Sequence, residues 1–278
     1  MSIDQQAERQ EQDARLEKNM RDIEHTILVM SGKGGVGKST VAVNIALGFA
    51  EKGYEVGIMD VDIHGPNIAK MLGIEDRVLE ADGTEITPVK VVPHLKAISL
   101  ALAGYGHDTP IIWRGPLKMG AIKQFLADVH WGNLDYLIID SPPGTGDEPL
   151  SVCQLIPKMD GAVIVTTPQD VAILDSRKSI NFARQLEIPV LGVVENMSGF
   201  ICPHCDEEVD LFGKGGGERA AGDLGVPFLG QIPLDPRIVK SGDQGRPYIA
   251  AVRESPTGDA IRGIVTSLEK RTNSVAAE

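Results

Sequence analysis

Short apolar runs alternate along this chain with longer amphipathic stretches, and that alternation predicts the architecture. Ile27–Met30, Glu55–Asp60, Lys96–Ala101, Leu134–Asp140, Ala162–Thr166, Pro189–Val194 and Phe228–Gly230 read as strands. Most are nearly continuous in apolar residues, the pattern of strands buried on both faces. Helical patterns lie between them. One begins near Lys38, one at Pro116 runs to about Val129, one spans about Val171 to Gln185, and the last runs from Pro256, behind Ser255 as N-cap, to about Lys270. Strands alternating with helices predict an α/β fold, a mostly parallel sheet flanked by helices on both faces. Between Glu75 and His94 the pattern loosens around Asp82 and Gly83, as in a hairpin or irregular excursion. Residues 1–25 are polar, with sparse apolar positions at Ile3, Leu16, Met20 and Ile23, and predict a flexible, frayed helical extension that ends with His25 before the first strand. Residues 26–270 then form one domain with an inserted loop near 202–205, and 271–278 form a tail.

Composition narrows the class. The 278 residues are 42% hydrophobic, 24% charged and 4% aromatic, as in a globular domain. A formal charge of −12 argues against general phosphate-backbone binding, so no nucleic-acid partner is expected. No apolar stretch approaches membrane-spanning length and the N-terminus lacks the order of a signal peptide, which predicts a cytoplasmic protein with no membrane partner. With only Cys153, Cys202 and Cys205, disulfides are not the organising device.

The candidate chemistry centres on Gly32, Lys33, Gly34, Gly35, Val36, Gly37, Lys38, Ser39 and Thr40, which follow the first strand and open the first internal helix. This is G-x-x-x-x-G-K-[ST] in its required strand–loop–helix setting. Glycines let successive backbone N–H groups turn around a phosphate, and the helix dipole points at the same place. Lys38 reaches the β- and γ-phosphates in such a loop and Ser39 ligates Mg²⁺. Lys33 is a surplus cation, placed for a task that Lys38 does not perform. Two further strands end in acid. Asp60 and Asp62 lie where an aspartate orients water or holds Mg²⁺ through its water shell, although a strand-end acid or helix cap fits the same pattern. Asp140 ends an apolar strand in the manner of a Walker-B carboxylate that supports Mg²⁺. Asn196 has the donor and acceptor to match a purine edge, or serves as a strand-end turn residue.

Cys202 and Cys205, spaced C-x-x-C around Pro203 and His204, supply half of a four-thiolate metal site that a symmetric dimer would complete. A redox dithiol, two inert thiols and a local Zn²⁺ site using His204 remain open on spacing alone. Gly213, Gly215, Gly216 and Gly217 only superficially resemble a second phosphate loop and read as a mobile connection into a helix.

Together, the Gly32–Thr40 loop, Asp60–Pro66, Trp113–Pro116, Asp140–Asp147, Val194–Met197 with Cys202–Cys205, and Ile232–Arg237 resemble the Mrp/ApbC-type iron–sulfur cluster carrier ATPases, in the deviant-Walker-A (SIMIBI) group of P-loop NTPases. The matching segments and their flanks span Thr26 to Pro247. The resemblance implies a homodimer that binds and hydrolyses ATP with Mg²⁺, leaving ADP. It implies a [4Fe–4S] cluster bridged by Cys202 and Cys205 of both protomers, received from upstream donors and passed to apo iron–sulfur proteins. In it Lys33 resembles the signature lysine that reaches phosphates in the opposite protomer, and Asp62 the switch I aspartate that positions water. Asp140 and its loop resemble switch II, Asn196 the adenine-contacting asparagine, and Pro233 to Asp235 a loop adding adenine contacts. A MinD/ParA-like positioning ATPase and a zinc-bridged structural dimer are the alternatives. An additional N-terminal cluster is not expected, because residues 1–25 contain no cysteine.

Overall fold

A computed structural model of the protein describes residues 3–62, 65–83, 85–102, 115–156, 159–201, 205, 207–246 and 254–275. The strands are β1 (Ile23–Ser31), β2 (Val56–Asp60), β3 (Glu80–Asp82), β4 (Glu85–Thr87), β5 (Val89–Val92), β6 (Leu95–Ser99), β7 (Leu134–Asp140), β8 (Gly161–Thr166), β9 (Val190–Ile201), β10 (Glu208–Val209) and β11 (Phe228–Leu234). The helices are α1 (Ile3–Arg21), α2 (Lys38–Glu51), α3 (Ile68–Met71), α4 (Gly115–Asp128), α5 (Asp147–Leu155), α6 (Asp170–Gln185), α7 (Gly216–Leu224), α8 (Pro236–Asp243) and α9 (Pro256–Val275).

Nine strands form the main sheet, in the order β10-β9-β8-β1-β7-β2-β6-β5 with β11 also on β9. Every pairing is parallel except β10 on β9 and β5 on β6. Strand β1 shows why. Its Ile27 and Val29 enter the core shared with α2 and α9, whereas Leu28 and Met30 enter the core shared with α4, α5 and α6. Both faces of the strand are therefore dry, as the unbroken apolar run requires. The α/β expectation of a mostly parallel, doubly covered sheet is met.

Register does the positioning. Val29, Asp140 and Asp60 align across β1, β7 and β2, so three adjacent strands finish at the same level and deliver the Gly32–Gly37 loop and two aspartates to one edge. This is where open α/β sheets present their ligand crevice.

Some boundaries differ from the sequence reading. The second half of the expected flexible extension is a docked helix: Leu16, Met20 and Ile23 recur at i, i+4 and i+7 and are buried against α4. Asn19 Nδ2 donates to the carbonyls of Leu126, Ala127 and Val129, which have no intrahelical partner at the end of α4, and Arg15 pairs with Asp128 at 2.9 Å. Strand β1 accordingly begins at Ile23, and His25 lies buried inside it, 2.9 Å from the carboxylate of Asp160. Strand β9 continues past Val194 to Ile201, and α9 runs through Val275, which absorbs most of the expected tail. The hairpin around Asp82 is formed by β3 and β4. No helix among the described residues is long and apolar enough to cross a membrane.

Candidate functional site

The loop between β1 and α2 is shaped by two glycines that admit no side chain. A Cβ on Gly32 would fall 2.2 Å from the backbone carbonyl carbon of Asp175 in α6, and one on Gly37, at φ 83°, 2.1 Å from Asn196 Nδ2. Gly37 is the N-cap of α2 and supplies no side-chain cap, and no acid occupies the first turn. The first-turn N–H groups are thus left for an anion.

Lys38 is almost fully buried and is held by acid. Its Nζ stands 2.7 Å from Asp140 Oδ1, 3.4 Å from Ser39 Oγ and 3.8 Å from Asp62 Oδ2. The predicted residues Lys38, Ser39, Asp62 and Asp140 therefore converge on one ammonium. Burial pushes the Asp140 carboxyl above its ordinary range, against the pull of Lys38. Asp140 Oδ2 is a buried acceptor with no partner among the described residues.

Asp60 has another task. Burial, then the neighbouring Asp140, pushes its carboxyl up to about 8. Its oxygens accept from Asp62 N at 3.1 Å, Ile68 N at 3.2 Å and Ser99 Oγ at 3.1 Å. Asp60 thereby braces the loop that presents Asp62. Lys33 is half-buried, and its carbonyl accepts from Ser31 Oγ at 3.0 Å. The loop after Asp140 is tacked to β1, with Gly144 N donating to Ser31 O at 2.8 Å and Ser141 Oγ to Val29 O at 2.9 Å.

Asn196 touches the phosphate loop itself: its Nδ2 donates to Val36 O at 2.9 Å. Pro233 lies near the end of β11, half-buried. The Asp235 carboxylate caps α8 by accepting from Arg237 N at 2.9 Å, pairs with the Arg237 guanidinium at 2.7 Å and accepts from Thr257 Oγ1 at 3.2 Å. Its oxygens thus serve α8 and α9, and the Pro233–Asp235 turn acts by aiming α8. That helix walls a cavity of about 190 Å³ whose lining includes Thr40, Val43, Asn44, Ile238, Val239 and Arg246. Because Thr40 belongs to the phosphate loop, the cavity opens beside the anion site. Sequence reasoning missed Ile238, Val239 and Arg246. The signal for Ile238 and Val239 was an apolar pair in the first turn of a helix that Asp235 caps; Arg246 carried none.

It also missed Glu195, which is fully buried. Its carboxylate accepts from Gly215 N at 2.8 Å, from Gly217 N, and from Ser198 Oγ at 2.6 Å. The glycine run read as a mobile connection is therefore packed, with Gly216 and Gly217 buried at the start of α7. Its N–H groups do bind an anion, but an internal one. The signal was a lone acid at the end of an apolar strand followed by a glycine-rich run.

Cys202 lies outside the described residues, and Cys205 is exposed. Cys153, in α5, is mostly buried, and burial pushes its thiol up to about 11. Among the described residues no group of three or more His, Cys, Asp or Glu side chains could hold a metal ion.

A model of the ParA family, described as NUBPL iron-transfer P-loop NTPase, matches residues 22–269. The chain belongs to this family. An iron-sulfur cluster carrier protein of Methanocaldococcus jannaschii is 54% identical over 86% of this chain and 82% of its own. A nucleotide-binding protein from Archaeoglobus fulgidus, solved in complex with ADP and with cobalt, superposes with a TM-score of 0.75 at 40% identity, covering 85% of this chain and 92% of that one. The MinD cell division protein of Aquifex aeolicus shares the fold, with a TM-score of 0.63 at 23% identity over 88% and 97%. As a member of this P-loop NTPase family the chain binds nucleotide.

Proposed function

We propose that the protein is a Mg²⁺-dependent ATPase that carries a [4Fe–4S] cluster between two protomers and delivers it to apo iron–sulfur proteins. The observation that carries this reading is the Lys38–Asp140 ion pair at 2.7 Å, with Asp62 3.8 Å away, on a family frame that also bears Cys202 and Cys205. An arriving triphosphate competes for Lys38, because its oxygens carry more charge than one carboxylate. Lys38 then moves to the β- and γ-phosphates, and Asp140 is released to rearrange its loop.

The residues fit a metal that enters with the nucleotide, since Ser39 offers one ligand and Asp140 Oδ2 an unused acceptor, without an all-protein cage. Mg²⁺ held by Ser39 and, through its waters, by Asp62 and Asp140 would neutralise phosphate charge. Asp62, presented by the Asp60 brace, orients the water that attacks the γ-phosphorus and releases ADP and phosphate. The base and ribose occupy the cavity beside Thr40, walled by α8, and Asn196, Pro233 and Asp235 are the further residues assigned to the nucleotide.

Lys33 acts across a two-fold axis on the partner's phosphates. Exposed Val171 and Leu174 on α6 and Leu211 and Phe212 before α7 support such a face, because both segments meet at Pro168 beside the phosphate loop. Two copies of Cys202 and Cys205 then make a four-thiolate site for the cluster, which is cargo supplied by an upstream donor. Free thiolates of this kind suit the reducing cytoplasm.

Anaerobic reconstitution with iron and sulfide tests the reading. The expected result is a dimer with four iron atoms and a sulfide-to-iron charge-transfer band, able to activate an apo-acceptor. Tightly held zinc with no iron uptake would make the thiols a structural bridge instead.

A further inference from the structure

Glu195 and Asn196 are consecutive residues of β9 that grip two different parts of the molecule. Asn196 holds the phosphate loop through Val36 O, and its amide occupies the space that a Cβ on Gly37 would fill. Glu195 holds both roots of the excursion that contains Cys202 and Cys205: Ser198, in the last residues of β9 before the excursion, and Gly215 and Gly217 where the chain returns to α7. All three bonds are made to one carboxylate, so the two sides of the excursion are tied through a single side chain. The junction is stiff on one side and irregular on the other. Met197 follows with a left-handed φ of 58°, unusual for a non-glycine residue, and the β9–β11 register slips between Ile232 and Leu234. A Cβ on Gly217 would lie 3.1 Å from Glu195 Cβ and 3.0 Å from Thr166 Cγ2, so the grip on α7 is tight.

We propose that Glu195 is a positioning residue that transmits nucleotide occupancy to the cysteine pair, an inference that rests on the nucleotide and cluster assignments above. When phosphate draws in the loop N–H groups, Val36 shifts against Asn196. The adjoining Glu195 carries that shift to the two roots of the cysteine excursion, because its three short hydrogen bonds do not stretch independently.

The test measures alkylation rates of Cys202 and Cys205 by mass spectrometry in the full-length, iron-free protein, with and without ADP. Calorimetry of ADP binding and a melting curve accompany each variant. In the unaltered protein ADP is expected to change the rates by about fivefold or more, the lower end of ordinary coupling between sites. Glu195→Gln turns one acceptor into an amide that faces an N–H donor. It is expected to bind ADP with little change while the rate ratio falls towards one. Ser198→Ala, which removes a single contact, should give an intermediate ratio. A merely structural Glu195 would lower the melting temperature and leave the ratio intact, and that result overturns the proposal. So does a ratio of one in the unaltered protein with ADP bound. If Glu195→Gln fails to fold, an unchanged ratio in Ser198→Ala overturns it. Absence of ADP binding overturns the nucleotide assignment along with the proposal, whereas an intact ratio in a protein that takes up no iron leaves the coupling standing and removes the cluster.

Discussion

Asp60 and Asp140 are register partners on neighbouring parallel strands, and of the two it is Asp140 that forms the ion pair with Lys38. One strand position therefore yields two kinds of carboxylate: a brace hydrogen-bonded to its own loop, and the counter-ion of a buried ammonium.

Lys38→Met removes the ammonium from among Asp60, Asp62 and Asp140. ADP binding should vanish in calorimetry. Because uncompensated buried acids remain, the variant should also lose about 3 kcal/mol in urea denaturation at pH 8. The loss should shrink at pH 5, because the raised carboxyls of Asp60 and Asp140 take up protons as the pH falls. Equal loss at both pH values would mean that the acids are not interacting through Lys38.

The raised Asp60 pKa has a definite sign. A folded value of about 8 against the ordinary 3.8 means that the folded protein keeps a proton the unfolded chain releases. Stability in the absence of nucleotide should therefore fall as pH rises from about 4 to about 8 and level off above, since the unfolded state binds fewer protons in that window. Asp60→Asn should flatten the slope in denaturation series across that range. A wild-type slope in the variant would assign the effect to another group.

Lys33→Ala should leave ADP affinity nearly unchanged and cut ATP turnover about a hundredfold or more, as loss of a cation supplied to a phosphoryl-transfer site does. Mixing the variant with a Lys38→Met protein distinguishes action in trans: partial recovery of turnover is expected only if Lys33 serves the other protomer while Lys38 serves its own.

Thiol chemistry should divide the cysteines. At pH 8 iodoacetamide should modify Cys205 quickly and Cys153 slowly, because burial pushes the Cys153 thiol up to about 11 and leaves little thiolate. Cys202→Ser should abolish iron retention after reconstitution, whereas Cys153→Ser should retain it. Iron loss in the Cys153 variant would point to a different ligand set.

Asn19→Ala should cost about 1–3 kcal/mol, since it strips a donor from the carbonyls of Leu126, Ala127 and Val129 at the end of α4. Urea denaturation should register the loss while ADP affinity stays constant.

Much of this site was legible before any coordinates. The Gly32–Thr40 spacing, and apolar strands ending in Asp60 and Asp140, are local patterns that imply one sheet edge once the sheet is parallel. What escaped is non-local. The docking of α1 depends on two apolar residues in a polar helix, Leu16 and Met20, with Ile23 just beyond it, too few to outweigh its charge until α4 is present. The division of labour between Asp60 and Asp140 follows from Ser99 and Lys38, which lie 39 and 102 residues away from them, respectively. The glycine run at Gly213–Gly217 looked mobile because its anchor, Glu195, sits 20 and 22 residues before the glycine N–H groups it accepts from.

The position of β1 between β7 and β8 has a consequence for how the chain is made. The phosphate loop leaves the ribosome early, but Val29 pairs with Asp140 on one side and Val163 on the other, so its scaffold waits for more than half the protein. A nascent chain ending before β7 holds the loop without the sheet that shapes it and without the counter-ion of Lys38. Nucleotide, binding only the completed arrangement, adds RT ln(1 + [L]/Kd) to the finished fold and nothing to the fragment. A bound nucleotide is thus a late folding ligand for this chain.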